Sequence, residues 1–153
     1  MLIPTSLGYG TSFSTAEVKT NDSYWETLGY NDEWAYYKVF CNTGDLLAVS
    51  VRVDYPIFDI DLVIFDSNEH VVEQELTIVD SVTLYTDVHT NTYYYIRIDR
   101  NAPRPGEISF ALTIAGASGT DPATIMLAIL ISVISGVAVI AIVIFLLIRR
   151  RRK

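Results

Sequence analysis

Apolar and polar residues alternate with a period of two through most of the chain ahead of residue 115, and that period belongs to strands. Within Trp34–Cys41, the residues Tyr37, Val39 and Cys41 share one face, and Asn42-Thr43-Gly44-Asp45 then reads as a turn. Leu47, Val49, Val51 and Val53 share one face of the next strand, which Tyr55-Pro56 breaks. Ile60, Leu62 and Ile64 alternate with Asp59, Asp61 and Val63 as far as a turn at Asp66-Ser67-Asn68. Val71–Leu76 and Val79–Thr86 make two short strands, the second placing Val82 and Leu84 inward. After His89-Thr90-Asn91, Tyr94, Ile96 and Ile98 alternate with Tyr93, Tyr95 and Arg97. A proline-bearing loop over 101–106 follows, and Ile108, Phe110, Leu112 and Ile114 close the series. Ser12–Lys19 and Tyr24–Tyr30 are candidates for two edge strands. No ten-residue segment here has helical periodicity. Seven to eight or more short strands, each with one apolar face, predict an all-β fold: two antiparallel sheets packed as a β-sandwich.

The pattern then changes abruptly. From Ala123 to Ile148 there are 26 residues without a charge. As a helix this run reaches roughly 39 Å at about 1.5 Å per residue, more than the roughly 30 Å of hydrocarbon in a bilayer. It predicts one transmembrane α-helix, which Pro122 suits as a first-turn residue. Arg149, Arg150, Arg151, Arg152 and Lys153 follow at once and read as a cytoplasmic anchor that also meets anionic head groups. The expected organisation is therefore an extracytoplasmic domain over 1–114, a linker over 115–122, the helix over 123–148 and a basic tail over 149–153. The reverse orientation is the alternative. Residues 1–15 hold no apolar leader, so the expectation is a shortened start, the other route being translocation directed by the single helix. Ala128, Ser132 and Gly136 recur every four residues and offer a close-packing stripe for self-association or for a partner helix, although small residues are common in any membrane helix.

Charge sharpens the division. All 18 acidic residues precede the run, against six basic ones, so residues 1–122 carry a formal −12 while the whole chain carries −7. This balance argues against nucleic acid as a partner. One cysteine excludes an internal disulfide, and two histidines with one cysteine exclude a usual zinc site. All ten tyrosines and both tryptophans also lie in the head.

Four segments carry a resemblance. Trp34-Ala35-Tyr36-Tyr37-Lys38-Val39 with Thr43-Gly44-Asp45-Leu46-Leu47 is similar to the "D-x-D-x-Y-x-V … G-D-x-L" opening of the bacterial pre-peptidase C-terminal domain family. The run from Asp59 to Asn68 resembles its "D-L-D-L-Y-L-Y-D-x-x-G" strand and turn, Thr92–Ile98 its "G-x-Y-Y-I-x-V" strand, and Gly106–Ile114 its closing "G-x-Y-x-L-x-I". The match covers a core of about 33–115. The resemblance implies a jelly-roll-like, non-catalytic sandwich found outside cells, often attached to secreted peptidases. Its relatives include collagen-binding modules, some of which bind calcium. Asn68-Glu69-His70 stands where the family has a turn glycine, a change that a left-handed Asn68 would offset.

Candidate chemistry is sparse. His70 and His89 sit in turns, with no serine elbow nearby, so no catalytic residue is assigned. Cys41 shares a core face and reads as an inert thiol. Asp59, Asp61 and Asp66 are candidate calcium ligands, with Asp32, Glu33 and Asp45 as contributors if the loops converge. The alternative is a solvated acidic surface. Trp34, Tyr36, Phe65, Tyr93 and Tyr95 alternate away from the core and form a candidate binding face for a protein or carbohydrate, unless the N-terminal residues cover them. Asn21-Asp22-Ser23 is a glycosylation sequon. Two functions follow: a membrane-anchored surface module for binding or adhesion, or an accessory subunit that meets a membrane partner through its helix.

Overall fold

The computed structural model describes residues 9–29, 32–54, 60–78, 80–100 and 106–117. The run over 123–148, the small-residue stripe Ala128, Ser132 and Gly136, the tail from Arg149 to Lys153 and Asp59 all lie outside the described residues. Among the described residues no helix is long and apolar enough to cross a membrane.

Nine strands form among the described residues: β1 (Glu17–Val18), β2 (Asp22–Leu28), β3 (Trp34–Cys41), β4 (Leu46–Val53), β5 (Ile60–Phe65), β6 (Val71–Ile78), β7 (Ser81–Asp87), β8 (Thr92–Arg100) and β9 (Ile108–Ala115). They build two sheets, one ordered β1-β3-β8-β5-β6 and the other β2-β9-β4-β7. The architecture is the expected β-sandwich. The inward sets are also those that the period of two selects. Tyr37, Val39 and Cys41 of β3, Leu47, Val49 and Val51 of β4, Ile96 and Ile98 of β8 and Phe110, Leu112 and Ile114 of β9 are all buried in one core.

Three expectations need correction. The sheets are not wholly antiparallel, because β1 runs parallel to β3, with Glu17 beside Tyr37 and Val18 beside Lys38. The segment Ser12–Lys19 is only partly strand. A single turn of 3-10 helix, Phe13–Thr15, precedes β1, with the Thr11 and Ser12 N–H groups donating to Thr15 Oγ1. In the β5–β6 turn the left-handed residue is Glu69 (φ 64°), not Asn68. The reason is Asp66, whose Oδ1 accepts the N–H groups of Asn68 and His70 and so pushes the reversal one residue along.

The chain passes from the first sheet to the second through a buried ion pair. Lys19 continues the β1 ladder by donating its N–H to Lys38 O at 2.8 Å. Its Nζ lies 2.7 Å from Glu26 Oε1 on β2 and 3.0 Å from Glu17 Oε2. Lys19 is 7% exposed and Glu26 10%, and the cation also lies over the Tyr24 and Tyr37 rings. Burial alone would lower the Lys19 pKa, but the two carboxylates hold it above its usual value.

The last strand leaves the core at a constrained point. Gly116 adopts φ +83°, and a Cβ there would meet Leu46 O. The sequon residue Asn21 is committed locally: its amide donates to Ala117 O and accepts the Ala117 N–H. The side chain thus fixes the exit of β9 rather than standing clear for modification.

Candidate functional site

Each sheet has one face turned away from the core, and the two faces differ in what covers them. On the first sheet, Trp34, Tyr36, Phe65, Tyr93 and Tyr95 do lie on one outer face, as the alternation requires. That face is covered over much of its middle. Gly10 bridges Tyr36 on the edge of β3 that β1 also pairs, exchanging backbone hydrogen bonds of 3.0 and 2.8 Å. The next residues fold over the sheet, and the Phe13 ring centroid sits 5.0 Å from Tyr36, 5.0 Å from Phe65 and 5.2 Å from Tyr95. Tyr36 and Phe65 are consequently buried. Trp34 stays 41% exposed, but its Nε1–H donates to Thr11 O at 2.9 Å and so helps to hold the same cover. Tyr93 packs edge-on against Phe40, with Lys38 over its ring. The five aromatics are brought together, and three of them serve as the floor under Phe13.

A second latch holds this cover at its start. Tyr9 Oη donates to Asp32 Oδ2 at 2.5 Å and accepts the Gly29 N–H, while Arg100 Nη2 donates to Gly29 O at 2.8 Å. Burial, and then the Asp32 bond, push the Tyr9 hydroxyl up to about 12.

Among the described residues the candidate acidic ligands do not gather at one point. Asp61 lies at the start of β5 and Asp66 just past its end, roughly 16 Å apart by strand rise. Asp32 and Glu33 precede β3 and Asp45 follows it, a separation of at least about 26 Å by the same rise. Asp66 is spent on its own turn, and the His70 and Asn68 N–H groups hold its carboxyl below the usual range. Asp45 Oδ2 likewise accepts the Asn42 N–H at 2.8 Å. Asp99, opposite Asp61 in the ladder, pairs with Arg97 at 2.7 Å, and burial raises its carboxyl above the usual range. Among the described residues no three His, Cys, Asp or Glu side chains group as a metal site. An open cleft of about 530 Å³ beside the β5–β6 turn is lined by Asp66, Glu73, Asp87, His89 and Tyr94 among others. Burial pushes the Cys41 thiol up to about 12, which leaves little thiolate.

The outer face of the second sheet is composed differently. Strand register aligns Ser23 of β2, Thr113 of β9, Ser50 of β4 and Thr83 of β7 in one row across all four strands. Hydroxyl bonds join Ser23 to Thr113 at 2.9 Å and Ser50 to Thr83 at 2.8 Å. The next row reads Trp25, Ala111, Arg52 and Ser81; beyond it, Thr27 bonds Ser109 at 3.2 Å. On the other side of the hydroxyl row lie Ala115, Ala48 and Tyr85. Trp25 is 63% exposed and Tyr85 56%, and Arg52 lies over the Trp25 ring at 5.8 Å. Carboxylates stand at the two ends of this face: Asp87 is beside Leu46, and Asp54 is beside Ser109, to whose carbonyl it donates its N–H at 3.1 Å; the three rows between hold none.

Sequence reasoning missed this face. The signal was present as Ala48-x-Ser50-x-Arg52 and Ser109-x-Ala111-x-Thr113, the outward halves of two strands already identified. Trp25 was hidden for another reason. Its strand places Glu26 on the inward side, where a carboxylate contradicts the expected alternation until Lys19 is seen to neutralise it.

No family model matches the sequence, and no curated protein matches it. Among solved structures the chain is similar to the pre-peptidase C-terminal domain of a collagenase from Bacillus anthracis, at 12% identity and a TM-score of 0.56, covering 65% of this chain and 93% of that one. It also matches a mitogen derived from Yersinia pseudotuberculosis, at 9% identity and a TM-score of 0.47, over 66% of this chain and 89% of that one. A periplasmic inhibitor of g-type lysozyme from Aeromonas hydrophila matches at 11% identity and a TM-score of 0.43, over 65% and 98%. The first likeness establishes a shared β-sandwich fold.

Proposed function

We propose that this chain is a single-pass membrane protein that displays a non-catalytic β-sandwich of the pre-peptidase C-terminal type as a binding module outside the cytoplasm. The observation that carries the binding part is the outer face of the second sheet. Its exposed Trp25 and Tyr85 contribute nothing to a core that is complete without them. The fold likeness to a pre-peptidase C-terminal domain supports the non-catalytic reading. The anchoring part is supported by the chain itself: 26 uncharged residues, then Arg149 to Lys153, at the end of an otherwise acidic protein. In this reading the helix fixes the head at the surface, the linker over 115–122 sets its distance, and contacts on the sheet face supply affinity.

Protease added to intact cells that carry the chain tests the placement. The head is expected to be shaved from intact cells while the basic tail stays protected. A head that is cut only after permeabilisation would overturn the proposal. The accessory-subunit reading rests on the spacing of Ala128, Ser132 and Gly136. It requires a membrane partner that co-purifies with the wild type and is lost in Gly136→Leu.

A further inference from the structure

Resting on the binding-module reading, we infer that the outer face of the second sheet takes an extended, uncharged polysaccharide chain, with Trp25 and Tyr85 as stacking platforms and the Ser23–Thr113–Ser50–Thr83 row as the polar contact between them. Register sets the geometry. Trp25 and Tyr85 are three strand spacings apart across the sheet and four residues apart along it, about 19 Å on the diagonal. The diagonal crosses the hydroxyl row between Thr113 and Ser50. A single sugar does not span that distance, whereas an extended chain of them does.

The chemistry fits at each point. Arg52 lies over one face of the Trp25 indole, and the ring's large exposure leaves the other to solvent, so the ring is held yet open to the apolar C–H face of a pyranose. Ser and Thr hydroxyls both donate and accept, which matches sugar hydroxyls whichever way they point. Ser, Thr and Ala have few rotamers to lose, so a ligand ordered against them costs little side-chain entropy. The short side chains also keep the surface flat.

Charge selects the occupant. Residues 1–122 carry a formal −12, and the carboxylates on this face stand at its two ends, Asp87 at one and Asp54 at the other, clear of the rows from Tyr85 to Trp25. A polyanion would be repelled by the head as a whole, and a second copy would bring two such heads together. An uncharged glycan meets neither penalty.

The test uses the full chain in a polyoxyethylene detergent, which has no sugar head group to compete. Migration is measured in native gels containing hydroxyethyl cellulose, arabinoxylan or galactomannan. The wild type is expected to be retarded by at least one of them. Trp25→Ala should weaken that retardation at least about tenfold, as loss of a central aromatic anchor does. Tyr85→Ala should weaken it less, and Ser50→Glu, which puts a carboxylate into the row, should abolish it. Trp34→Ala should leave it intact, and the thermal unfolding of Trp25→Ala, Tyr85→Ala and Ser50→Glu should stay close to the wild type. Absence of retardation in all three gels overturns the inference. So does a dimer that forms with rising concentration and is lost in Trp25→Ala, which would give the face to a second copy. Retardation that survives both Trp25→Ala and Ser50→Glu overturns the face and leaves the binding-module reading standing. A head protected from external protease would instead overturn surface display.

Discussion

The two sheets of this sandwich turn chemically opposite faces outward. The first carries aromatics in the middle of the sheet, and the chain spends residues 9–18 covering them, with Phe13 over Tyr36, Phe65 and Tyr95. The second carries hydroxyls and alanines in the middle and aromatics at two opposite corners, with nothing among the described residues laid over it. A row of large apolar rings needs a lid, because leaving it wet forfeits the burial of several hundred Å². A row of hydroxyls needs none. The face richer in rings is therefore the one that the protein closes for its own stability.

The largest expected effect concerns what holds the sheets together. Lys19→Met leaves Glu26 buried without its cation, and the head should lose about 3–5 kcal/mol in urea unfolding. Lys19→Arg should lose much less. A Lys19→Met head as stable as the wild type would mean that the two sheets do not depend on this pair. Phe13→Ala comes next. Its half-buried ring should cost about 2 kcal/mol, below the figure for a fully buried Phe, and should create a dye-binding apolar patch where Tyr36 and Phe65 open. Polysaccharide retardation should not change. If it fell, the lid and the open face would be one site.

Alkaline titration probes the same lid. The folded Tyr9 hydroxyl titrates at about 12 against an ordinary value of 10.0, so its contribution is complete below pH 10 and is lost as pH rises toward 12. Lys19, held above its ordinary 10.5, contributes in the same direction and is lost at higher pH. With the buried Cys41 thiol, raised from 9.0 to about 12, acting in the same direction, stability should thus fall between pH 9 and 12, and Tyr9→Phe should flatten part of the fall above pH 10. A Tyr9→Phe profile identical to the wild type would remove Tyr9 from the latch. The smallest effect is on stability at the open face. Trp25→Ala and Tyr85→Ala should each change unfolding free energy by no more than about 0.5 kcal/mol, because neither ring is in the core. A larger loss would make those rings structural.

What the sequence makes legible follows the same division. The inward sets of β3, β4, β8 and β9 are readable because a period of two with one buried face leaves a strong signature, and the sandwich follows from them. The N-terminal cover is not readable, since Tyr9–Val18 has no period: it is a bridge at Gly10, a turn at Phe13 and a two-residue parallel strand. Glu26 misleads because a long-range partner neutralises it. Counted along the chain, Asp61 groups with Asp66 and Asp32 with Asp45, whereas strand length separates the members of each pair.

The most direct measurement is acrylamide quenching of each tryptophan separately, using Trp34→Phe and Trp25→Phe in the full chain, with and without the polysaccharide that retards it. Trp25 is expected to become shielded on addition while Trp34 stays as it was. Shielding of Trp34 with Trp25 unchanged would move recognition to the covered sheet and contradict the account.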